Sequence, residues 1–284
     1  MLEQKFTRLT ELLEEFGSVC IGYSGGVDSV FLSKVALDVL GPERVLAVTG
    51  LSEAYPGVQH EMALECVRRF GIPHLEIETH ELDDPNYAAN PSNRCYFCKS
   101  ELWSRLAEVA AERGLAVVLD GSNADDVGDH RPGMQAARER GVRSPLLEAG
   151  LTKAEIRELS RSLGLPTWDL PAAPCLASRI QYGIAVTPKR LRQVEDAETI
   201  LRGAGFREFR VRHHGDIARL EVAPGELHRA LELAPGLARQ IRGLGFERVL
   251  LDLQGYRRGA LNESITLTQL TADRQAPAAR AEVA

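Results

Sequence analysis

An α/β fold is predicted for this sequence: a parallel sheet covered by helices, followed by a smaller α+β unit. Three observations predict it. Apolar, β-prone runs alternate with amphipathic helical stretches from Ser18 to Asp120. That alternation stops in a stretch from Gly164 to Arg179 punctuated by Pro166, Pro171 and Pro174. A new helix and strand pattern with its own turns, Gly203-Ala204-Gly205 and Pro224-Gly225, begins after Pro188. At 284 residues, 44% hydrophobic and 26% charged, the chain suits one large domain and one small one.

Leu9, Leu12, Leu13 and Phe16 recur at helical spacing with acids between them, the pattern of an amphipathic helix rather than a secretion signal. Strands are expected at Val19–Tyr23, Val45–Thr49, Leu75–Thr79 and Val117–Asp120, and helices at about Ser29–Leu40, Val58–Phe70 and Lys99–Arg113. Right-handed crossovers fold such a series into a parallel sheet, with ligands at the carboxyl ends of the strands. Thr152 and Glu155 form a capping box for a helix over Lys153–Leu163. Beyond Pro188 a helix to about Gly203, strands at Phe206–Arg212, Arg219–Val222 and Val249–Leu253, and a helix from Glu226 complete the second unit. The expected domains are residues 1–182 and 183–263, with 264–284 an aperiodic, disordered tail.

Charge and cysteines narrow the function classes. Residues 1–180 hold 18 Lys and Arg against 27 Asp and Glu, whereas residues 181–260 hold 14 against 10, so the second unit prefers anions. That excess lacks the dense basic run or aromatic interleaving of a nucleic-acid surface, which favours a small phosphorylated ligand; a merely solvated basic face explains the charge equally well. No apolar run spans a bilayer, and a cytoplasmic location is expected. The five cysteines are odd in number, which argues against a disulfide framework. Cys20 and Cys66 read as small buried hydrophobes.

Ser24-Gly25-Gly26-Val27-Asp28-Ser29 directly follows the first strand and opens a helix. Its glycines admit positive φ and close approach, helix-start amides attract anions, and Ser24 and Ser29 add hydroxyls. Asp28 would be repelled by phosphate, so its economical role is to hold Mg²⁺ between phosphate oxygens. Neither a Walker A loop nor G-x-G-x-x-G is present. After the fourth strand comes Gly121-Ser122-Asn123-Ala124-Asp125-Asp126, whose residue types read as an Asx-rich helix start.

The S-G-G-x-D-S string resembles the PP-loop family, or N-type ATP pyrophosphatases, of the adenine nucleotide α-hydrolase-like fold, whose members adenylate an oxygen and release pyrophosphate. The resemblance implies that Gly121 lies near the adenine or ribose and that Asp125 or Asp126 is a second metal ligand, with Asp126 preferred. Across most of the chain the sequence further resembles the LarE family of sulfurtransferases. That likeness rests on the nucleotide loop, on Asn93-Arg94-Cys95-Tyr96-Phe97-Cys98-Lys99, on Trp168-Asp169 leading to Pro174-Cys175-Leu176-Ala177-Ser178-Arg179, and on Gly255-Tyr256-Arg257-Arg258-Gly259-Ala260-Leu261-Asn262. It implies a pyridinium-3,5-biscarboxylic acid mononucleotide substrate, Cys175 as sulfur carrier, and a homo-oligomer, a hexamer being one such arrangement.

C-x-x-C at Cys95 and Cys98 suits thiolate ligation or a redox pair, and with Cys175 it offers three thiolates for a 4Fe–4S cluster. A sacrificial or persulfide Cys175 is the other route to sulfur. Ser178, Arg179, Arg210, Arg212 and Arg257 are candidates for a clamp on the substrate phosphate, since Arg forks match phosphate oxygens; surface charge is the plain reading of each Arg. A tRNA-thiolating PP-loop enzyme would want an RNA-binding appendage, and an amidotransferase resembling NAD or GMP synthetase would leave the cysteines unexplained.

Overall fold

The computed structural model describes residues 2–127, 132–171 and 174–257. The sequence's expected tail and the end of its Gly255–Asn262 motif lie outside them. Among the described residues two units emerge: 2–177 with 185–191, and 178–184 with 192–257.

In the first unit α1 (Leu2–Phe16) is followed by β1 (Val19–Gly22), α2 (Val27–Leu40), β2 (Val45–Leu51), α3 (Gly57–Phe70) and β3 (His74–Glu78). Next come α4 (Pro85–Ala88), α5 (Arg94–Arg113), β4 (Val117–Leu119), α6 (Pro132–Glu139), α7 (Pro145–Glu148) and α8 (Lys153–Ser162). The strand order is β3-β2-β1-β4, and every pairing is parallel. Alternate residues of β1 feed opposite faces. Val19 and Ile21 join Leu9, Leu13, Phe31 and Ile156 from α1, α2 and α8, while Cys20 joins Trp103, Leu106 and Ala136 from α5 and α6. Both faces are therefore covered, as a parallel sheet requires. Chain order reverses between β1 and β4, which puts a crevice at their carboxyl ends.

The predicted helices and strands of this unit are present with shifted ends. The largest shift is in α5, which starts at Arg94 and not at Lys99, so Cys95 and Cys98 occupy its first turn. Tyr96 packs against the Trp103 cluster, and this tertiary contact outweighs the weak helix preference of the aromatic and cysteine residues there. The short α4, α6 and α7 carried too little periodicity to predict.

The second unit contains α9 (Pro188–Gly203, its first turn in the first unit), β5 (Phe209–His214), β6 (Ile217–Val222), α10 (Leu227–Gly243) and β7 (Arg248–Leu251). β5 and β6 are antiparallel and β7 is parallel to β6. The strand expected at Phe206–Arg212 begins later and runs on to His214, because pairing continues to the tight turn where His214 faces Ile217. Phe206 enters the core from the preceding turn, with Val211, Leu220, Leu237 and Ile241. No described helix is long and apolar enough to cross a membrane.

Phe31 is fully buried between α1, α2 and the sheet. Phe31→Ala is expected to lower unfolding free energy by about 3–5 kcal/mol, measured as a reduced urea midpoint.

Candidate functional site

The Ser24–Ser29 loop closes on itself before entering α2. Ser24 N–H donates to Ser29 Oγ at 3.2 Å, Ser29 Oγ donates to the Gly26 carbonyl at 3.1 Å, and the two serine hydroxyls are 3.2 Å apart. Gly25 has φ +70°, and a Cβ there would stand 2.6 Å from the Cβ of Ala63, so both conformation and packing demand glycine. Gly26 is the N-cap of α2 and has no side chain to spend on its amides, which leaves the first turn for an anion. The loop is also held from outside: the Ser24 carbonyl accepts Tyr55 O–H at 3.1 Å and Gln59 Nε2–H at 2.5 Å.

Asp28 lies where β1 and β4 end. A Cβ on Gly121 would be 3.2 Å from Asp28 Cβ, so the second loop backs directly onto the first. Asn123 Nδ2 donates to Asp28 Oδ1 at 3.4 Å, and the Lys153 ammonium pairs with Oδ2. Asp126 Oδ2 accepts Asn123 N–H at 3.0 Å, and Asp125 Oδ2 accepts Lys153 N–H at 2.8 Å. The two acids thus brace the loop and the start of α8, which is the Asx-start reading. Burial raises the Asp28 carboxyl above its usual range, Lys153 offsets part of that through charge and hydrogen bond, and the Asp126 charge adds a smaller push upward. A crowded carboxylate beside a second one is a donor set that a hard cation relieves, so these residues fit Mg²⁺.

The cysteines separate into two kinds. Cys20 and Cys66 are fully buried, and burial pushes their thiols up to about 12 and about 11, so neither offers a thiolate near neutral pH. Cys95 is exposed, whereas Cys98 and Cys175 are half-buried. Surrounding protein is the main cause that raises Cys95, and the Cys175 charge comes next; Cys98 is raised by burial, then by Glu81, with Cys175 and Cys95 adding. All three belong to the first unit. Among the described residues no group of three or more His, Cys, Asp or Glu side chains is arranged to hold a metal ion. The sulfurs fit an iron–sulfur cluster in kind and number, without preset ligand geometry. Leu176 N–H, next to Cys175, donates to the Ala54 carbonyl at 2.8 Å.

In the second unit the arginines are not loose surface charges. Arg179, 3% exposed, makes a two-pronged pair with Glu198 at 2.9 and 3.2 Å, and its Nη1 donates to Ser178 Oγ at 3.0 Å. Arg212 pairs with Glu221 at 2.9 Å and donates to the Ser178 carbonyl at 3.1 Å, and Arg219 takes the other Glu221 oxygen at 2.8 Å. Arg210 stacks over Tyr256, 4.9 Å from the ring centre. Burial, then the nearby Arg179 charge, with Arg212 adding, lowers its guanidinium pKa from the ordinary value. Arg179, Arg210 and Arg212 thus share one neighbourhood, in which added negative charge would be welcome. Arg257 follows Tyr256 in the chain and is half-buried.

Sequence reasoning missed Lys153, Tyr55, Gln59, Glu198 and Glu221. Lys153 was visible only as the first residue of a capped helix. Nothing in its spacing pointed its side chain at Asp28, 125 residues away.

Comparison with known proteins supplies the context. Residues 3–107 match the NAD synthase family. A Synechocystis protein carrying no described function is 44% identical over 94% of this chain and 100% of its own length. The pyridinium-3,5-bisthiocarboxylic acid mononucleotide synthase of Lactiplantibacillus plantarum is 37% identical over 95% of this chain and 98% of its own. A Methanocaldococcus jannaschii protein is 25% identical over 84% and 90% respectively.

Gly25→Ala is expected to cost about 1–3 kcal/mol through strain at positive φ. The readouts are a lower thermal midpoint and, by calorimetry, weakened ATP binding.

Proposed function

The chain belongs to the LarE family, that of the Lactiplantibacillus plantarum synthase, and on that premise we propose a cytoplasmic, homo-oligomeric, ATP-dependent sulfurtransferase. Its substrate is pyridinium-3,5-biscarboxylic acid mononucleotide, whose carboxylates become thiocarboxylates for a nickel-pincer cofactor. The observation that carries this reading is a shared anchor: Tyr55 holds the nucleotide loop at Ser24, and its neighbour Ala54 holds the cysteine loop at Leu176. Activation and sulfur delivery thereby start from one turn.

Ser24, Gly25, Gly26 and Ser29 bind the phosphates through amides and hydroxyls, and Gly121 admits the nucleoside beside them. Asp28, with Asp126 close by, would hold the Mg²⁺, which neutralises charge on the phosphates. Lys153 supplies a second cation at the same place. A substrate carboxylate oxygen attacks the α-phosphorus, and pyrophosphate leaves with the bonding pair. The acyl adenylate then carries AMP as a good leaving group, and sulfur at Cys175 attacks its carbonyl carbon as AMP departs with its bonding pair, giving a thioester; on the sacrificial route loss of the Cys175 Cα proton then breaks the Cβ–S bond, its pair goes to sulfur, and the thiocarboxylate leaves dehydroalanine behind. Ser178, Arg179, Arg210, Arg212 and Arg257 would bind the substrate's phosphate, with Glu198 and Glu221 fixing two of the forks. A 4Fe–4S cluster on Cys95, Cys98 and Cys175 would, when bound, supply an iron open to exchangeable sulfide.

Two variants separate the half-reactions. Asp28→Asn is expected to reduce pyrophosphate release at least about 100-fold, the scale for removing one charge-stabilising group. Cys175→Ala is expected to keep pyrophosphate release and lose thiocarboxylate formation. Mass spectrometry of the parent after turnover reads the sulfur source, since loss of one sulfur at Cys175 marks sacrifice and an unchanged mass marks a renewable source. Parental thiocarboxylate formation by both variants would sink the assignment.

A further inference from the structure

Trp168 and Asp169 open the segment that leads to Cys175. Pro166, Pro171 and Pro174 offer no N–H, so this stretch is short of donors for its own carbonyls. Arg157, half-buried on α8, supplies two: its Nη1 donates to the Trp168 carbonyl and its Nη2 to the Leu170 carbonyl, both at 2.6 Å. An arginine fork commonly meets a carboxylate, and here it grips main chain instead. Holding two carbonyls two residues apart sets the course on which the chain enters Pro171, whose ring disfavours helical backbone at Leu170.

The rest of this helix face says what the grip serves. Lys153, Arg157 and Arg161 recur every four residues and so share one side of α8. Lys153 pairs with Asp28, and Arg161 lies over the Trp168 ring, 5.0 Å from its centre. One helix face therefore meets the Ser24–Ser29 loop at its start and the root of the cysteine loop farther along. On the other side of Cys175, Leu176 N–H is tied to the Ala54 carbonyl at 2.8 Å. Cys175 is thus bracketed by two ties, and the supports of both, α8 and the turn after β2, also hold the Ser24–Ser29 loop, through Asp28 and Tyr55. The start of α8 does not depend on Arg157: Thr152 and Glu155 cap it, Asp125 accepts Lys153 N–H at 2.8 Å, and Lys5 pairs with Glu155 at 2.8 Å. Removing the fork would release the loop and leave the helix in place.

We propose that Arg157 is a positioning residue for sulfur delivery, its fork fixing the leading end of the Cys175 loop so that the sulfur meets the adenylated carboxyl carbon. This inference rests on the sulfurtransferase reading. Arg157 keeps its proton throughout and acts through the main chain that it holds.

The test compares R157A and R157K with the parent in the full-length chain. Hydrogen–deuterium exchange read by mass spectrometry needs no substrate: in R157A the peptide covering residues 168–176 is expected to take up deuterium at least about tenfold faster, because two bonds from a charged donor are lost, with α8 unchanged. With substrate, R157A is expected to keep ATP–pyrophosphate exchange within about threefold and KM for ATP unchanged, and to lose at least about tenfold in kcat for thiocarboxylate, as a small misplacement of a reacting group does. Added guanidinium ion, but not ammonium ion, should restore part of that loss. R157K keeps the charge and the stem but offers one point where the fork offers two, so its losses should run the same way and be smaller; if R157A does not fold, R157K decides by the same split. Unchanged deuterium uptake over 168–176 would overturn the tether, and parental thiocarboxylate formation would overturn its role. Equal losses in both half-reactions with faster uptake throughout α8 would make Arg157 a residue of the fold and overturn the proposal too. If the parent itself shows no substrate-dependent pyrophosphate exchange, the sulfurtransferase reading falls first and takes the role in delivery with it.

Discussion

Two hydrogen bonds at the turn after β2 hold the site together. Tyr55 O–H reaches the carbonyl of Ser24 and the Ala54 carbonyl takes the N–H of Leu176, so the Ser24–Ser29 loop and the loop that carries Cys175 share one support. Ser52, in the same turn, binds Glu81, the carboxylate that acts on Cys98. A parallel sheet makes such a support possible because all its strands deliver their carboxyl ends to the same edge. The β3-β2-β1-β4 order sets β1 next to both β2 and β4, and the loops after these three strands become neighbours without any long connection.

The same economy governs charge. Burying a carboxylate or guanidinium is costly unless it is paired, and the two units meet that cost differently. In the first, Asp28 is paired with one ammonium but crowded by Asp126, an arrangement that favours an incoming cation. In the second, Glu198 and Glu221 lock Arg179 and Arg212 in place, while burial and Arg179 strain the Arg210 cation. Fixed forks lose little freedom when an anion arrives, which is how a preorganised clamp gains affinity.

Much of this was legible in the sequence. The strands of the parallel sheet and the Ser24–Ser29 loop follow from apolar runs and glycine placement, which are local properties. The capping box at Thr152 and Glu155 is present as read, with Glu155 N–H and Thr152 N–H both satisfied. What local pattern cannot convey is which distant group completes a charge. Lys153 meets Asp28, and Glu198 holds Arg179, only because the chain folds back. Helix α5 starts ahead of its local signal for a related reason: Tyr96 is a poor local argument for a helix and a good tertiary one.

The matched stretch of the NAD synthase family ends at residue 107. It contains the nucleotide loop and the Cys95–Cys98 turn, but neither Cys175 nor any of the candidate phosphate-binding arginines. That division has a physical basis. Making an acyl adenylate asks only for phosphate binding at a helix start and a nearby cation, and the β1–α2 junction can supply both whatever nucleophile comes next. Cys175 is returned to that side of the sheet by the later chain, through the bond of Leu176 to Ala54. A chain can therefore keep the β1–α2 junction while differing in the loop hung from Ala54.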